Sequence, residues 1–321
     1  MEPDLLSDAL SMVRLTGAVI FRIAVDGPWC VSAAPTLADF APALPPGTNH
    51  LVAFHVFLRG ECWLRCPPRP WARARAGDAV VLPHGQLHQL GDHCEESPPS
   101  FRDVLGKRSP LELRELRFRT GEAPRTEVLC GFLGCDRRAF SPLFSALPPI
   151  FVTTLGSGAQ LLVRYAVDEA LSDQPGAGSL RVRLAELMFL ESLRGYMRDL
   201  PDDATGWLAG LRDPLVGKAL KLMHEAARVE WTVEALAERA ACSRSLLAER
   251  FKTVIGEAPM HYLTRVRLHQ AAQRLSDGGR SLEAIADEVG YASPAAFQRA
   301  FKRCFGVAPG AWRREARERP H

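Results

Sequence analysis

The pattern of apolar and polar positions changes character along the 321-residue chain. From about residue 18 to residue 134, short apolar runs alternate with Gly and Pro; they cover 19–21, 51–58, 62–64, 79–82 and 128–130. Short strands with frequent turn residues between them are typical of a β-sandwich or a β-barrel. The pattern therefore predicts a β core, interrupted by a polar stretch over 92–112 in which 97–100 forms a surface loop.

Helical periodicity replaces this pattern after residue 142. Residues 180–197 are the clearest case, because their apolar side chains recur on one side of a helix; these are Leu184, Leu187, Met188, Leu190 and Leu193. Such a stripe can pair with its copy in a homodimer or pack on the β core, and both interpretations stay open. Asp213 followed by Pro214 predicts the start of another helix. We expect a domain over 1–200, a linker over 201–212 and a helical domain over 213–321.

The helical domain contains an internal repeat. The run 233–237 returns as 282–286 after 49 positions, and the pairs 251–252 and 258–259 return after 50 positions. An insertion inside a helix would rotate its apolar face by about 100°, so the extra residue belongs in a turn. Each copy therefore predicts a helix, a tight turn and a second helix, with a long helix over 260–275 between the copies. Two such units in one chain suggest a protein that reads DNA.

The second copy resembles the signature of the AraC/XylS family of bacterial transcription regulators. The similarity lies in 286–303 (ADEVGYASPAAFQRAFKR), in the following 305–309 (FGVAP) and in 312–314 (WRR). The segment 259–268 (PMHYLTRVRL) is similar to the family's connecting helix. The resemblance covers about 213–318, and it implies double-stranded DNA as the partner.

The resemblance also implies which residues read bases, early in each second helix: Ser245, Ala248 and Glu249 in the first copy, and Ala295, Gln298 and Arg299 in the second. An Arg suits guanine and a Gln suits adenine, whereas an acidic side chain either accepts from cytosine or faces away from the phosphates. We expect phosphate contacts from Lys252, Lys302 and Arg303. Ordinary surface charge is the alternative for these three residues.

The β domain contains a stretch that resembles the second sequence motif of cupins. It has the glycine at Gly77, then Pro83 and Gly85, and closes on His88. The run 55–63 resembles the first motif but lacks its His and Glu cluster, and Ala53 stands where the family has Glu. Because His55 shares the strand parity of Ala53, we expect it to face the interior. The resemblance implies a cupin-like β-barrel.

The barrel has candidate metal ligands. His55 and His88 come first, with Cys130 as a soft third ligand and His84 as a fourth. Imidazole and thiolate ligands suit zinc or another transition metal. Without a carboxylate, the set does not match the two-His, one-acid site of iron oxygenases. The alternative interpretation is a hydrogen-bonded core histidine, a solvent-facing His84 and a buried thiol.

Cys30 and Cys94 are candidates for a redox sensor, since some regulators of similar layout respond to oxidants through cysteines. Oxidation requires an exposed thiolate of low pKa. His93 beside Cys94 favours the thiolate, whereas Asp92 and the two glutamates at 95–96 oppose it.

Composition agrees with this picture. Hydrophobic residues make up 47% of the chain and charged residues 24%, which is ordinary for a globular protein. No apolar run reaches the length of a membrane span, so we expect a cytoplasmic protein with eight reduced cysteines. Residues 213–321 contain 18 Lys and Arg against 13 Asp and Glu, a surplus of positive charge that fits nucleic acid.

Together these patterns predict an α+β protein, with a cupin-like β-barrel and its helices followed by an all-α domain of two helix-turn-helix units. We expect a transcription regulator, not an enzyme, whose cupin domain responds to an unknown small molecule, a metal or an oxidant. Two alternatives remain open: a metal-dependent cupin enzyme with a DNA-binding tail, and a constitutive DNA-binding protein whose barrel only dimerises it.

Overall fold

The computed structural model describes residues 5–7, 15–44, 48–118, 125–135 and 141–317. The chain forms two compact units, which we describe separately. Within the described ranges, the β unit contains 15–135 and 147–199, and the helical unit contains 5–7, 141–146 and 200–317. The division near residue 200 lies beyond the change from strand to helix patterning, because the helices over 157–198 belong to the β unit.

The β unit is built on two sheets, and the predicted β core is confirmed. The strands are β1 (Leu15–Val25), β2 (Cys30–Ala33), β3 (His50–Arg59), β4 (Glu61–Arg65), β5 (Ala72–Arg75), β6 (Asp78–Leu82), β7 (His88–Gly91), β8 (Glu115–Phe118), β9 (Thr126–Cys135) and β10 (Phe151–Thr154). One sheet has the order β10-β6-β3-β9-β1-β8 and the other β2-β7-β4-β5. Successive side chains of a strand point to opposite faces of its sheet. Side chains from the facing sides of the two sheets therefore fill one apolar core.

Short helices α1 (Leu37–Phe40) and α2 (Phe101–Leu105) belong to this unit, together with the longer α4 (Ser157–Leu171) and α5 (Ala177–Arg198). Helix α5 packs against β1 and β10, and Leu184, Met188 and Leu193 are among its buried apolar residues. The apolar stripe predicted over 180–197 therefore packs on the β core, which is one of the two interpretations that the sequence allowed. Two of its leucines, Leu180 and Leu187, remain exposed.

The helical unit confirms both helix-turn-helix copies. Its helices are α3 (Ser141–Ala146), α6 (Trp207–Arg212), α7 (Pro214–Glu225), α8 (Val233–Arg239), α9 (Arg244–Ile255), α10 (Pro259–Asp277), α11 (Leu282–Glu288), α12 (Pro294–Phe305) and α13 (Pro309–Arg317). The four repeat helices are capped by Thr232, Ser243, Ser281 and Ser293, and each hydroxyl accepts a hydrogen bond from the backbone N–H three residues further along the chain.

Two expected boundaries need correction. The linker expected over 201–212 contains helix α6. Trp207 is buried on this helix, and its indole N–H donates to the Tyr262 hydroxyl at 2.8 Å, which satisfies the buried donor. The domain expected over 1–200 loses α3, which contacts α6 within the helical unit. Leu143 and Phe144 of α3 are fully buried, so their side chains fix this helix where apolar burial is available.

Candidate functional sites

The second helix of each repeat has one buried and one exposed face. Leu247, Phe251 and Val254 are buried on α9, and Phe297 and Phe301 are buried on α12. This 3.6-residue spacing fixes the rotation of each helix, because the buried stripe holds it against its own unit. The residues expected to contact DNA fall between the buried positions.

Every residue expected to contact DNA is exposed apart from Ala248, which is half-buried; the exposed ones are Ser245, Glu249, Lys252, Ala295, Gln298, Arg299, Lys302 and Arg303. Within the part of the chain that the structure describes, no ion pair occupies Lys252, Arg299, Lys302 or Arg303. Unpaired cations on an exposed face are available to phosphate without the cost of breaking an ion pair.

Helix α9 also exposes residues that the family resemblance did not indicate. Leu246 has 52% of its surface exposed, at the start of α9. Arg244 forms an ion pair with Glu234 at 2.8 Å, and Arg250 forms one with the helix cap Asp213 at 2.7 Å. The sequence does contain a signal for Leu246. It is an apolar residue directly before Leu247, the first buried position of α9, and a side chain at that place does not reach the core.

A buried polar network stabilises the first copy. Tyr262 lies on α10, and its hydroxyl accepts from Trp207 and contacts Nε2 of His224, each at 2.8 Å. Burial is the main reason that the pKa of His224 is lowered to about 4, and the nearby cation of Arg265 contributes to this shift. A neutral imidazole has an acceptor nitrogen, so the hydroxyl donates to His224 while it accepts from Trp207. The network therefore joins α6, α7 and α10.

A second polar chain lies in the core of the β unit, where the parity argument placed it. His55 Nε2 is 3.0 Å from His88 Nε2, and His55 Nδ1 is 3.2 Å from Cys130 Sγ. His88 Nδ1 is 3.0 Å from the carbonyl oxygen of Gln86. Burial holds the pKa of His55 well below its usual value and lowers that of His88 to about 4, while it raises the pKa of the Cys130 thiol. All three groups are neutral near pH 7.

These protonation states give one consistent hydrogen-bond order. The carbonyl of Gln86 can only accept, so His88 carries its proton on Nδ1 and accepts at Nε2. His55 then donates from Nε2 to His88, and its Nδ1 accepts from the thiol of Cys130. Each donor in this hydrogen-bonded series of His88, His55 and Cys130 has a partner, as buried polar groups require.

The four candidate metal ligands do not converge on one point. Cys130 contacts the opposite edge of the His55 ring from His88, and His84 Nε2 lies 3.2 Å from the carbonyl oxygen of Leu147. In the described part of the chain, no group of three or more His, Cys, Asp or Glu side chains could hold a metal ion. A structural zinc site needs four ligands and a catalytic one three, so these residues do not fit either kind. Whether the two histidines bind a metal stays a prediction.

A cavity of about 350 Å³ lies in the β unit, beside β2, α1 and α2. Phe40, Phe101 and Phe132 contribute aromatic surface, and the rings of Phe40 and Phe132 are 4.4 Å apart. Arg102 and Arg108 also line the cavity, and Arg102 forms an ion pair with Asp39. The guanidinium of Arg108 makes no ion pair with the described residues. Its size and mixed lining are typical of a small-molecule site.

The two redox candidates differ in their surroundings. Cys30 is buried, and burial raises the pKa of its thiol, so it does not meet the requirement for a reactive thiolate. Cys94 is exposed. His93, expected to favour its thiolate, instead contacts Asp92 at 2.7 Å and Glu95 at 3.7 Å.

Comparisons with known proteins agree with this architecture. The profile of a cupin family matches residues 4–198, and that of a helix-turn-helix domain matches residues 236–315. A protein of Streptomyces antibioticus described as an AraC-like transcription regulator is 32% identical over 317 residues, covering 97% of this chain and 98% of its own. The transcriptional regulator AlkR of Acinetobacter baylyi is 28% identical, covering 82% of this chain and 87% of its own.

A solved structure of the DNA-binding domain of AdpA with a target DNA is 33% identical, covers 33% of this chain and 94% of that domain, and has a TM-score of 0.31. A cupin domain joined to two helix-turn-helix units defines a DNA-binding transcription regulator. The chain belongs to the AraC family. No helix among the described residues is both long enough and apolar enough to span a membrane.

Proposed function

We propose that the cupin domain is the sensor of this regulator and that a small organic effector binds in the 350 Å³ cavity. The observation that carries the proposal is the combination of an aromatic lining with Arg108, a cation without a carboxylate partner among the described residues. Aromatic walls favour a planar apolar ligand, and a guanidinium without an ion-pair partner favours an acidic or hydrogen-bonding group on it. Occupancy of the cavity then changes how the helical unit engages its operator.

The proposal is tested with 8-anilinonaphthalene-1-sulfonate, an aromatic anion that fluoresces in apolar sites. We expect one probe to bind per chain and to alter the operator affinity of the full protein. Ala33→Phe fills the cavity and should abolish binding of the probe, whereas Arg108→Gln should only weaken it. Equal probe binding by the wild type and Ala33→Phe would contradict the assignment of the cavity, and unchanged operator affinity with the probe bound would contradict sensing.

We also propose that the exposed residues of α9 and α12 read the operator. Arg299 and Gln298 supply donor patterns that match guanine and adenine, while Ser245 and Ala248 offer short side chains that read weakly. Lys252, Lys302 and Arg303 neutralise phosphates. The absence of ion pairs at these cations within the described chain supports this division of roles.

The phosphate contacts are tested by the salt dependence of binding. Lys302→Ala should weaken binding to every DNA sequence and reduce the slope of log affinity against log salt concentration by about one unit. Lys107→Ala, at an exposed lysine of the β unit, is the matched control and should leave the slope unchanged. An unchanged slope in Lys302→Ala would remove this residue from the interface.

Metal binding is the second candidate for the sensor, favoured by the 3.0 Å separation of the Nε2 atoms of His55 and His88. Elemental analysis of wild type and of the double variant His55→Ala, His88→Ala distinguishes the candidates. Metal in the wild type alone would support a site at this pair with ligands from outside the described set. Equal, negligible metal in both proteins would leave the hydrogen-bonded chain as the only role of these residues.

A further inference from the structure

The hairpin of β4 and β5 concentrates positive charge. Residues 59–75, which contain both strands, have five arginines and a single acidic residue, Glu61. Residues 1–212 have 22 Lys and Arg against 24 Asp and Glu, so this segment is a basic patch within a slightly acidic part of the chain. Neither the exposed faces of α9 and α12 nor the 350 Å³ cavity includes these hairpin arginines, which are Arg59, Arg65, Arg69, Arg73 and Arg75.

Strand alternation directs part of this charge to the outside of the four-stranded sheet. Cys62, Leu64 and Ala74 are buried in the apolar core of the β unit. Because successive side chains of a strand point to opposite faces, the residues between them lie on the other face. This outer face of the hairpin consists of Glu61, Trp63 and Arg65 on β4 with Arg73 and Arg75 on β5.

Two arginines of this outer face are held over tryptophan rings. The guanidinium of Arg73 lies 5.7 Å from the centre of the Trp63 ring, its partner in the strand register. The guanidinium of Arg65 lies 4.6 Å from the centre of the Trp71 ring. A stacked guanidinium keeps its N–H groups at its edge, where they can donate to an oxygen acceptor. The stacking therefore orients these cations, and it covers one side of each ring.

Most of the charge has no acidic partner. Glu61 forms an ion pair with Arg73. Arg59, Arg69 and Arg75 are exposed, and none of them forms an ion pair with any residue that the structure describes. Several cations of one sign on a single face attract an anionic partner.

Protection of a sheet edge does not account for all of these arginines. Strand β5 lies at the edge of its sheet, and charged side chains on an edge strand prevent pairing with another chain. Only Arg73 and Arg75 lie on β5, whereas Arg59 ends β3 and Arg69 lies in the turn between β4 and β5. The other arginines of the hairpin need a different explanation.

We propose that the hairpin arginines contact phosphates of duplex DNA, in addition to the contacts of the helix-turn-helix units. The planar guanidinium group matches two phosphate oxygens at once. Because the helical unit of the same chain binds DNA, the effective concentration of phosphate near the hairpin is high, and weak contacts suffice. A single strand fits less well, since stacked guanidinium groups compete with bases for the tryptophan rings. An acidic protein also fits less well, because protein interfaces have an apolar centre that this face lacks.

The salt dependence of DNA binding by the full chain tests the proposal, on an operator with flanking DNA at both ends. The hairpin variant, Arg69→Gln with Arg75→Gln, removes two exposed cations without breaking an ion pair among the described residues. The slope of log affinity against log salt concentration should fall by about two units, and by the same amount on DNA of unrelated sequence. Arg69→Lys with Arg75→Lys keeps both charges and should keep the wild-type slope.

Lys107→Gln with Arg164→Gln is the matched control, because it removes two exposed cations of the β unit that lie outside the hairpin and form no ion pair with the described residues. It should leave the slope unchanged. An equal fall in this control would reduce the effect to net charge and overturn the hairpin contact.

Lys302→Ala in the same salt series separates this proposal from the operator contacts. A lower slope in Lys302→Ala with an unchanged slope in the hairpin variant would overturn the hairpin contact alone. If the hairpin variant also self-associated in sedimentation equilibrium while its slope stayed unchanged, the arginines would protect the β5 edge instead of binding DNA.

Discussion

The two helix-turn-helix units share their local geometry and differ in what they expose. Ser243 and Ser293 each accept a backbone hydrogen bond at 3.2 Å, and their helices end at glycines with positive φ. In the turn between the helices, the carbonyl of Ala237 accepts from the N–H of Cys242 in the first unit, and the carbonyl of Ala286 accepts from the N–H of Tyr291 in the second. The exposed positions have no such constraint, because nothing in the unit packs on them. Repetition therefore preserves the scaffold and leaves the reading surface free to diverge.

The divergence is one of charge. Glu249 in the first unit stands where Arg299 stands in the second, and the exposed Leu246 corresponds to the half-buried Ala296. In the proposed DNA interface, an Arg at this place would contact guanine and attract phosphate, whereas a Glu would repel phosphate and at most accept from cytosine. We therefore expect equal contributions of the two units to folding and unequal contributions to DNA recognition.

The largest expected effect tests the equality in folding. Phe251 and Phe301 are both fully buried, and each packs edge-on against the equivalent ring on the following helix, Tyr262 at 5.6 Å and Trp312 at 5.8 Å. Either Phe→Ala substitution should reduce the free energy of unfolding of its own unit by about 3–5 kcal/mol. Hydrogen exchange of the amides of α9 and α12 measures the two losses separately. If the free energy of unfolding of one unit fell by less than half as much as that of the other, the two units would not be equivalent in folding.

The next prediction concerns the inequality in recognition. Arg299→Ala should weaken binding to a specific operator by about 1–3 kcal/mol and relax the preference at one base position. Glu249→Ala, the matched substitution in the first unit, should leave affinity unchanged or raise it slightly, because it removes a negative charge near phosphate. Fluorescence anisotropy with the operator and with its single-base variants measures both. Uniform weakening by Arg299→Ala across all sequences would assign this residue to phosphate.

A third prediction concerns the polar network around Tyr262. The equivalent residue of the second unit is Trp312. The pKa of His224 is lowered to about 4 in the folded state, so the unfolded chain binds a proton more readily and stability falls as the pH drops from about 6.5 towards 4. When the pH is lowered from 7 to 5, protonation of this residue in the unfolded chain should reduce the free energy of unfolding by about 2 kcal/mol. Urea unfolding at pH 7 and at pH 5 measures this loss. Between these two pH values, the free energy of unfolding of His224→Gln should fall by about 2 kcal/mol less than that of wild type. Equal losses in both proteins would contradict a buried neutral imidazole.

The smallest effect lies in the turns. Ala241 has φ of 58°, in the left-handed region, at the place where the second unit has Gly290 with φ of 81°. Ala241→Gly should stabilise the first unit by about 1 kcal/mol or less, since relief of the strain is offset by the entropy of glycine. Gly290→Ala should cost more than that, because its new Cβ would lie 3.0 Å from both the carbonyl oxygen of Arg228 and the guanidinium of Arg267. Thermal unfolding compares the pair, and a stabilising Gly290→Ala would contradict the geometry.

The sequence predicted the repeat helices well because caps, turns and apolar periodicity are local properties. It failed at α6, where Trp207 finds its partner Tyr262 55 residues further along the chain. It also failed at α3, whose burial belongs to the helical unit although its position in the chain lies between strands. Strand parity brought His55 and His88 together correctly, whereas His84 follows its strand, in a turn where parity gives no orientation.

Binding-site selection from random DNA with the full chain tests the unequal reading most directly. The account predicts two half-sites about one helical turn apart, with strong base preferences where α12 binds and weak ones where α9 binds. Selection with Arg299→Ala should lose the strongest preference, and selection with Glu249→Ala should retain it. Equally strong half-sites, or a site whose sharpest position depends on Glu249, would contradict the claim that the two units share a scaffold but not the task of recognition.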